Sequence, residues 1–140
     1  MNPLPLSQAE TIIKLAIAQA HTLNVTVNIA LLDTGGHLIT FKRMDGVLLG
    51  AIDIAIKKAY TAALFQKPTY ELGQRSQLGE PLFGIESSNG GLITFAGGLP
   101  ITLGKQDTDR HCIGAIGVSG SPAARLRMTT LLQRQPFDFK

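Results

Sequence analysis

The chain has a single cysteine, Cys112, so it can form no internal disulfide and no metal cage built on several thiolates. One thiol fits a reducing compartment, and the expected location is the cytoplasm. Long apolar runs are also missing. No stretch of about 18 apolar residues exists, so no helical membrane span is expected. The segment Met1–Leu6 has neither a basic n-region nor a long apolar h-region, so no signal peptide is expected. Charge is sparse, at 16% of residues against roughly a quarter in an average domain. The net charge is only +3, and Arg125, Arg127, Arg134 and Lys140 are the only loose basic cluster. Without a basic stripe and interleaved aromatics, no nucleic-acid partner is expected. There is no internal repeat, linker or low-complexity segment.

Several chemistries are missing as well. The histidines His21, His37 and His111 are never paired at i, i+3 or i+4, so no local metal motif is present. Gly-x-Gly-x-x-Gly is absent, and Gly114-x-x-Gly117-x-x-Gly120 lies in a β-type run rather than at a helix start. Val118-Ser119-Gly120 is not a nucleophile elbow. His111 precedes Cys112 directly, but neighbouring strand residues point to opposite faces. Cys112 therefore reads as a buried core thiol rather than a nucleophile.

What is present suits one compact domain over residues 1–140, a length that buries a sizeable core without staples. Ser7 and Glu10 form a capping-box pattern at the start of a first helix. Ile12, Ile13, Ala16, Ile17, Ala20 and Leu23 give its apolar stripe, and Asn24 stops it. Val25–Leu32 reads as a strand, with Val25, Val27, Ile29 and Leu31 on one face. Asp33-Thr34-Gly35-Gly36 is a hairpin turn, and His37–Arg43 returns as the second strand. A longer helix is expected from Asp45 or Gly46 to just before Pro68, because the residue preceding proline avoids the helical region. Thr69 offers the cap of a short helix, followed by a polar connection over Gln74–Ile85. Strands are expected at Leu92–Ala96, Ile101–Leu103 and Cys112–Ser119, with a polar loop over Gly104–His111 that holds Lys105, Asp107, Asp109 and Arg110. A last helix, capped by Ser121 ahead of Pro122, runs to about Gln133, and Pro136 ends it. Hairpin-linked strands with helices grouped between them predict an α+β fold, an antiparallel sheet flanked by helices.

Two glycine-framed segments stand out. Asn89-Gly90-Gly91 leads to Gly97-Gly98, and Gly114 to Gly120 frames a second apolar run. Glycine lets the backbone take positive φ or be approached closely. Such loops can open their amides to a bound group, and Arg43, Lys57 or Lys58 could receive a carboxylate or propionate beside them. Haem needs only one or two axial donors, so a single histidine suffices where it would not for zinc. Met44, Tyr60 and Cys112 are further donors.

Val27–Asp33 with Gly35-Gly36, Arg43-Met44-Asp45-Gly46, Lys58–Ala62, Pro68-Thr69, Pro81–Ile85, Asn89–Gly91, Gly97–Pro100 and Ile113–Gly120 occur in order and at compatible spacing. Together they resemble the GlcG/HbpS-like family, which includes the C-terminal domain of PduO-type proteins. The resemblance covers about residues 8 to 120. It implies a profilin- or PAS-like fold with a five-stranded antiparallel sheet, homo-oligomers that are often octamers, and haem binding in several members. The adenosyltransferase reaction belongs to a different domain and is not carried over. After Gly120 the family usually continues with glycine and an acidic helix start. Here Ser121–Thr130 has no acidic residue.

The leading expectation is a small-molecule-binding homo-oligomer, without membrane or nucleic-acid partners, that takes haem or a related tetrapyrrole in haem handling or redox sensing. The cofactor-binding candidates are His21, His37, Arg43, Met44, Asp45, Lys58, Asn89, Gly90, Gly91, Gly97 and Gly98. His21 is the first choice as iron ligand and His37 the second. The site is expected between Arg43–Gly46, the start of the long helix and the Asn89–Gly98 loops. The alternative is a small enzyme for an organic acid or ring-cleavage product, with Arg43 and Lys58 as carboxylate anchors. A third reading is a structural oligomer with a partner.

Overall fold

A computed structural model describes residues 4–104 and 108–133. Lys105, Asp107 and Pro136 lie outside them. The elements are α1 (Leu6–Thr22), β1 (Val27–Leu32), β2 (Leu38–Arg43), α2 (Ala51–Phe65), α3 (Thr69–Arg75), a 3-10 turn (Ile85–Ser87), β3 (Gly98–Leu103), β4 (His111–Gly120) and α4 (Pro122–Gln133). The strands form one four-stranded sheet in the order β2-β1-β4-β3, and every pairing is antiparallel. The class is α+β, with helices flanking the sheet.

The helices cover both faces. On one face Ile12, Ile13 and Ala16 of α1 and Met128 of α4 pack on Val27, Ile29, Leu31, Ile116 and Val118. On the other, Ala55, Ala59, Ala62 and Ala63 of α2 pack on Ala30, Leu32 and Ala115. Alanine dominates this second interface, so α2 sits very close to β4. A methyl at Gly117 would stand 2.7 Å from the Ala59 nitrogen and overlap the Ala55 carbonyl. All six residues of β1 are consequently buried. The single-faced strand expected from Val25, Val27, Ile29 and Leu31 is instead central and covered on both sides.

Other expectations change too. The sheet has four strands rather than five, because Leu92–Ala96 does not pair in it. The Ile93 N–H donates to Thr61 Oγ1 on α2 at 3.0 Å, and the Leu92 N–H to the Glu86 carbonyl at 2.9 Å. The apolar run is spent on helix contacts, and backbone bonding to α2 replaces a ladder. α2 starts at Ala51, not at Asp45 or Gly46, because Gly46 takes a left-handed φ of 84° that interrupts a helix. Leu48 and Leu49 therefore precede the helix and are exposed. The capping box does not form: α1 begins at Leu6 behind Pro5, and Glu10 accepts a hydrogen bond from Thr40 of β2 at 3.1 Å. Thr69 is no cap either, since its Oγ1 accepts the Gly98 N–H at 2.9 Å. The expected cap of α4 does form, with the Ala124 N–H donating to Ser121 Oγ at 3.2 Å. Asn24 ends α1 with φ of 54°.

Candidate functional site

The link Met44–Gly50 carries the chain from the end of β2 to the start of α2. The Met44 N–H donates to the Val27 carbonyl at 3.2 Å, which ties the link to the start of β1. Hollows open on either side of it. One, of about 350 Å³, is lined by His21, Thr26, Arg43, Met44 and Asp45. His21 comes from the last turn of α1 and Arg43 from the end of β2. His21 and the consecutive residues Arg43, Met44 and Asp45, separated in sequence by the β1–β2 hairpin, thus share one lining.

The second hollow, of about 470 Å³, is lined by Leu48, Leu49, Ile54, Lys58, Phe95 and Ser119 among others. Lys58 is only 1% exposed. Its Nζ donates to the Val118 carbonyl at 2.8 Å and lies 5.1 Å from the Phe95 ring centroid, a cation–π distance. Lys58 is thus an interior cation at the floor of a cleft rather than a solvated lysine on a helix face. Its neighbour Lys57 behaves otherwise and pairs with Asp53 at 3.1 Å on the helix surface.

Gly97 and Gly98 are buried beside Lys58. Gly97 has φ of 132°, and a methyl on it would stand 2.6 Å from the Val118 oxygen. At Gly98 a methyl would meet the Lys58 carbonyl and Thr69. Both glycines let β3 start against α2, and the Gly98 amide is used internally by Thr69. Asn89, Gly90 and Gly91 all have positive φ, and the Asn89 carbonyl accepts the Tyr60 hydroxyl at 3.1 Å. That turn stands over the middle of α2, apart from both linings.

The structure does not gather the histidines. His37 sits at the hairpin turn, with Nδ1 3.2 Å from Asp33 Oδ1. β2 separates it from Arg43, and a six-residue strand spans roughly 17–20 Å. Burial acts to raise the Asp33 pKa, but the N–H groups of His37 and Gly35 and the nearby ring outweigh it and hold the carboxyl below its ordinary value. His111 is at the far end of β4 from Ser119, with Nδ1 3.2 Å from the Asp109 carbonyl. Cys112 is half-buried rather than fully buried. Burial pushes its thiol pKa up, against bonds from the Gly114 and Ile101 backbone. Among the described residues no group of three or more His, Cys, Asp and Glu could hold a bare metal ion, and no helix is long and apolar enough to cross a membrane.

Reasoning from sequence placed none of Thr26, Leu49, Phe95 and Ser119 in a binding site, although they line these hollows, and it passed over Asn28, the strand partner of Ser119. Asn28 had a signal, a polar amide inside the apolar run Val27–Leu32.

The donor set of the first hollow suits haem. Imidazole and thioether are both iron ligands, and a guanidinium suits a propionate. Residues 4–125 match the model of a family described as haem degrading protein HbpS-like. The chain is 32% identical over 126 residues to the 15.0 kDa protein of the dhaT–dhaS intergenic region of Citrobacter freundii, covering 89% of this chain and 85% of that protein. It is 34% identical over 116 residues to protein GlcG of Escherichia coli K12, covering 83% and 81%. The crystal structure of a PduOC–haem complex superposes with a TM-score of 0.82 at 29% identity, covering 94% of this chain and 91% of that one.

Proposed function

This chain belongs to the HbpS-like family, and on that premise we propose that it is a small self-associating protein that binds haem or a related tetrapyrrole, in haem handling or redox sensing. The observation that carries the reading is the convergence of His21, Arg43, Met44 and Asp45 on one hollow. His21 would supply an imidazole to the iron, and Arg43 would receive a propionate. Met44, packed at the edge of the main core, offers apolar surface and a weaker second donor. Bound there, the group supplies ligand or redox chemistry at its iron. The protein's part is to hold it, shelter one face and fix its charge partner. The haem complex of PduOC supports the reading, because that fold carries haem at 29% identity over nearly the whole chain.

The hollow is open, so this chain covers one face of a flat macrocycle and leaves the other for a second copy. Exposed apolar side chains favour such pairing: Leu48 is 76% exposed, Leu49 70% and Leu78 86%. Low charge favours it too. A homo-oligomer, with an octamer as the expected closed assembly, is part of the proposal.

The test is a visible absorption titration of the purified protein with haemin. A shifted absorption band that saturates at one haem per chain, and is lost in the His21→Ala variant, supports the reading. A wild-type spectrum that stays that of free haemin overturns it.

A further inference from the structure

The hollow over Lys58 shares no lining residue with the one that holds His21. Its volume of about 470 Å³ lies within the range of small-molecule sites. Leu48, Leu49, Ile54 and Phe95 make its walls apolar, Lys58 and Ser119 are its polar groups, and no carboxylate lines it. The charge in the cleft is therefore one buried cation in an apolar frame.

A second observation marks the same corner of the sheet as polar, one strand behind the lining residue Ser119. Asn28 of β1 is the cross-strand partner of Ser119 of β4. Directly paired residues put their side chains on the same face of a sheet. Here that is the face of Ala30 and Ala115, which α2 covers. Asn28 is 0% exposed, and neither its Oδ1 nor its Nδ2 has a hydrogen-bond partner. Buried amides in native proteins are almost always satisfied, so an orphan marks a place where a polar atom belongs.

We propose that this hollow binds a small carboxylic acid with an apolar body. Its carboxylate faces the Lys58 ammonium and accepts from the hydroxyl of Ser119, the strand neighbour of Asn28. Its chain or ring lies on Leu48, Leu49, Ile54 and Phe95. The sign of the charge follows from Lys58, and the monoanion from the single cation. The apolar body follows from the walls. The attraction acts on an ammonium that is only 1% exposed, where a charge is screened less than in bulk water. Lys58 keeps its bond to Val118 throughout. This site is separate from the tetrapyrrole hollow and does not depend on it.

The test is calorimetric titration of the intact protein, free of haemin, with hexanoate and with its neutral match hexanamide. Hexanoate is expected to saturate one site per chain and hexanamide to bind at least about 10-fold more weakly. Ser119→Ala, with its fold checked by circular dichroism, should weaken hexanoate by about 10-fold or more, since it removes a bond to a charged group. Leu49→Glu changes an exposed rim residue, so folding is not at risk. It should weaken hexanoate at least about 3-fold by like-charge repulsion and leave hexanamide unchanged. Leu6→Ala, exposed at the start of α1, should change neither. Equal binding of acid and amide overturns the proposal. So does the absence of saturation below about 10 mM, weaker than any useful site, or wild-type hexanoate binding in folded Ser119→Ala and Leu49→Glu.

Discussion

The ammonium of Lys58 donates a 2.8 Å hydrogen bond to the carbonyl of Val118, 60 residues further along the chain. β3 begins only at Gly98, and the Val118 N–H donates to the Gly97 carbonyl at 2.8 Å. Where the β3–β4 ladder stops, a side chain from α2 therefore takes the next carbonyl of β4. One lysine both finishes the sheet and places a positive charge at the floor of a cleft.

Replacing Lys58 by Ala should cost about 2–4 kcal/mol in urea unfolding. The change removes a long buried side chain and leaves the Val118 carbonyl without its donor. A midpoint unchanged from wild type would show that the bond and the packing contribute nothing.

Gly117→Val is expected to be more damaging than Gly90→Ala. Any Cβ at Gly117 runs into the α2 backbone at Ala55 and Ala59, whereas nothing stands within 4 Å of one at Gly90. Overpacking should cost at least about 2 kcal/mol at Gly117. Gly90, with φ of 75°, carries only the strain of its backbone, about 1 kcal/mol. Thermal unfolding of both variants gives the comparison.

Among the histidines, only His21→Ala should lower haemin affinity, by about 10-fold or more, while His37→Ala and His111→Ala leave it unchanged. His37 and His111 stand away from the His21 hollow and make their own contacts with Asp33 and Asp109. An equal loss in His37→Ala would place the iron elsewhere.

The Asp33 carboxyl is held below its ordinary pKa in the folded state. Its stabilisation is thus fully present above the unfolded value, and it is lost as pH falls through the folded value. Asp33→Asn should narrow the difference in Tm between pH 7 and pH 3 relative to wild type. An identical pH dependence in the two proteins would show that the hairpin carboxylate does not contribute.

For Cys112, burial raises the thiol pKa. Alkylation by iodoacetamide at pH 8 should be slower than for a free cysteine and should accelerate on unfolding in urea, since the thiolate is the reacting form. Alkylation in the folded protein at the rate of free cysteine would contradict this.

The sequence by itself determined the elements whose signals are local. The Asp33–Gly36 turn, the stop at Asn24, the end of α2 before Pro68 and the Ser121 cap all depend on backbone preferences of a few neighbouring residues, and all are present. The ordered glycine and charge motifs were enough to identify the family. Local signals failed where a distant element competed for the same group. Leu92–Ala96 has the composition of a strand, but Thr61 and the closeness of α2 claimed its backbone. Glu10 and Thr69 look like capping residues, but Thr40 and Gly98 took their oxygens.

The site follows the same division. Arg43, Met44 and Asp45 are adjacent in sequence, so their shared position was legible once they were singled out. That His21 joins them, while His37 does not, depends on α1 ending beside the end of β2. Only the packing of helix on sheet sets that. Lys58 was visible as a cation but not as a buried one, because burial is decided by Gly97, Phe95 and Val118 closing over it. Asn28 shows the limit most plainly. Its identity was in the sequence from the start, but its lack of a partner exists only after two helices have sealed both faces of β1 and removed the water that would have satisfied it.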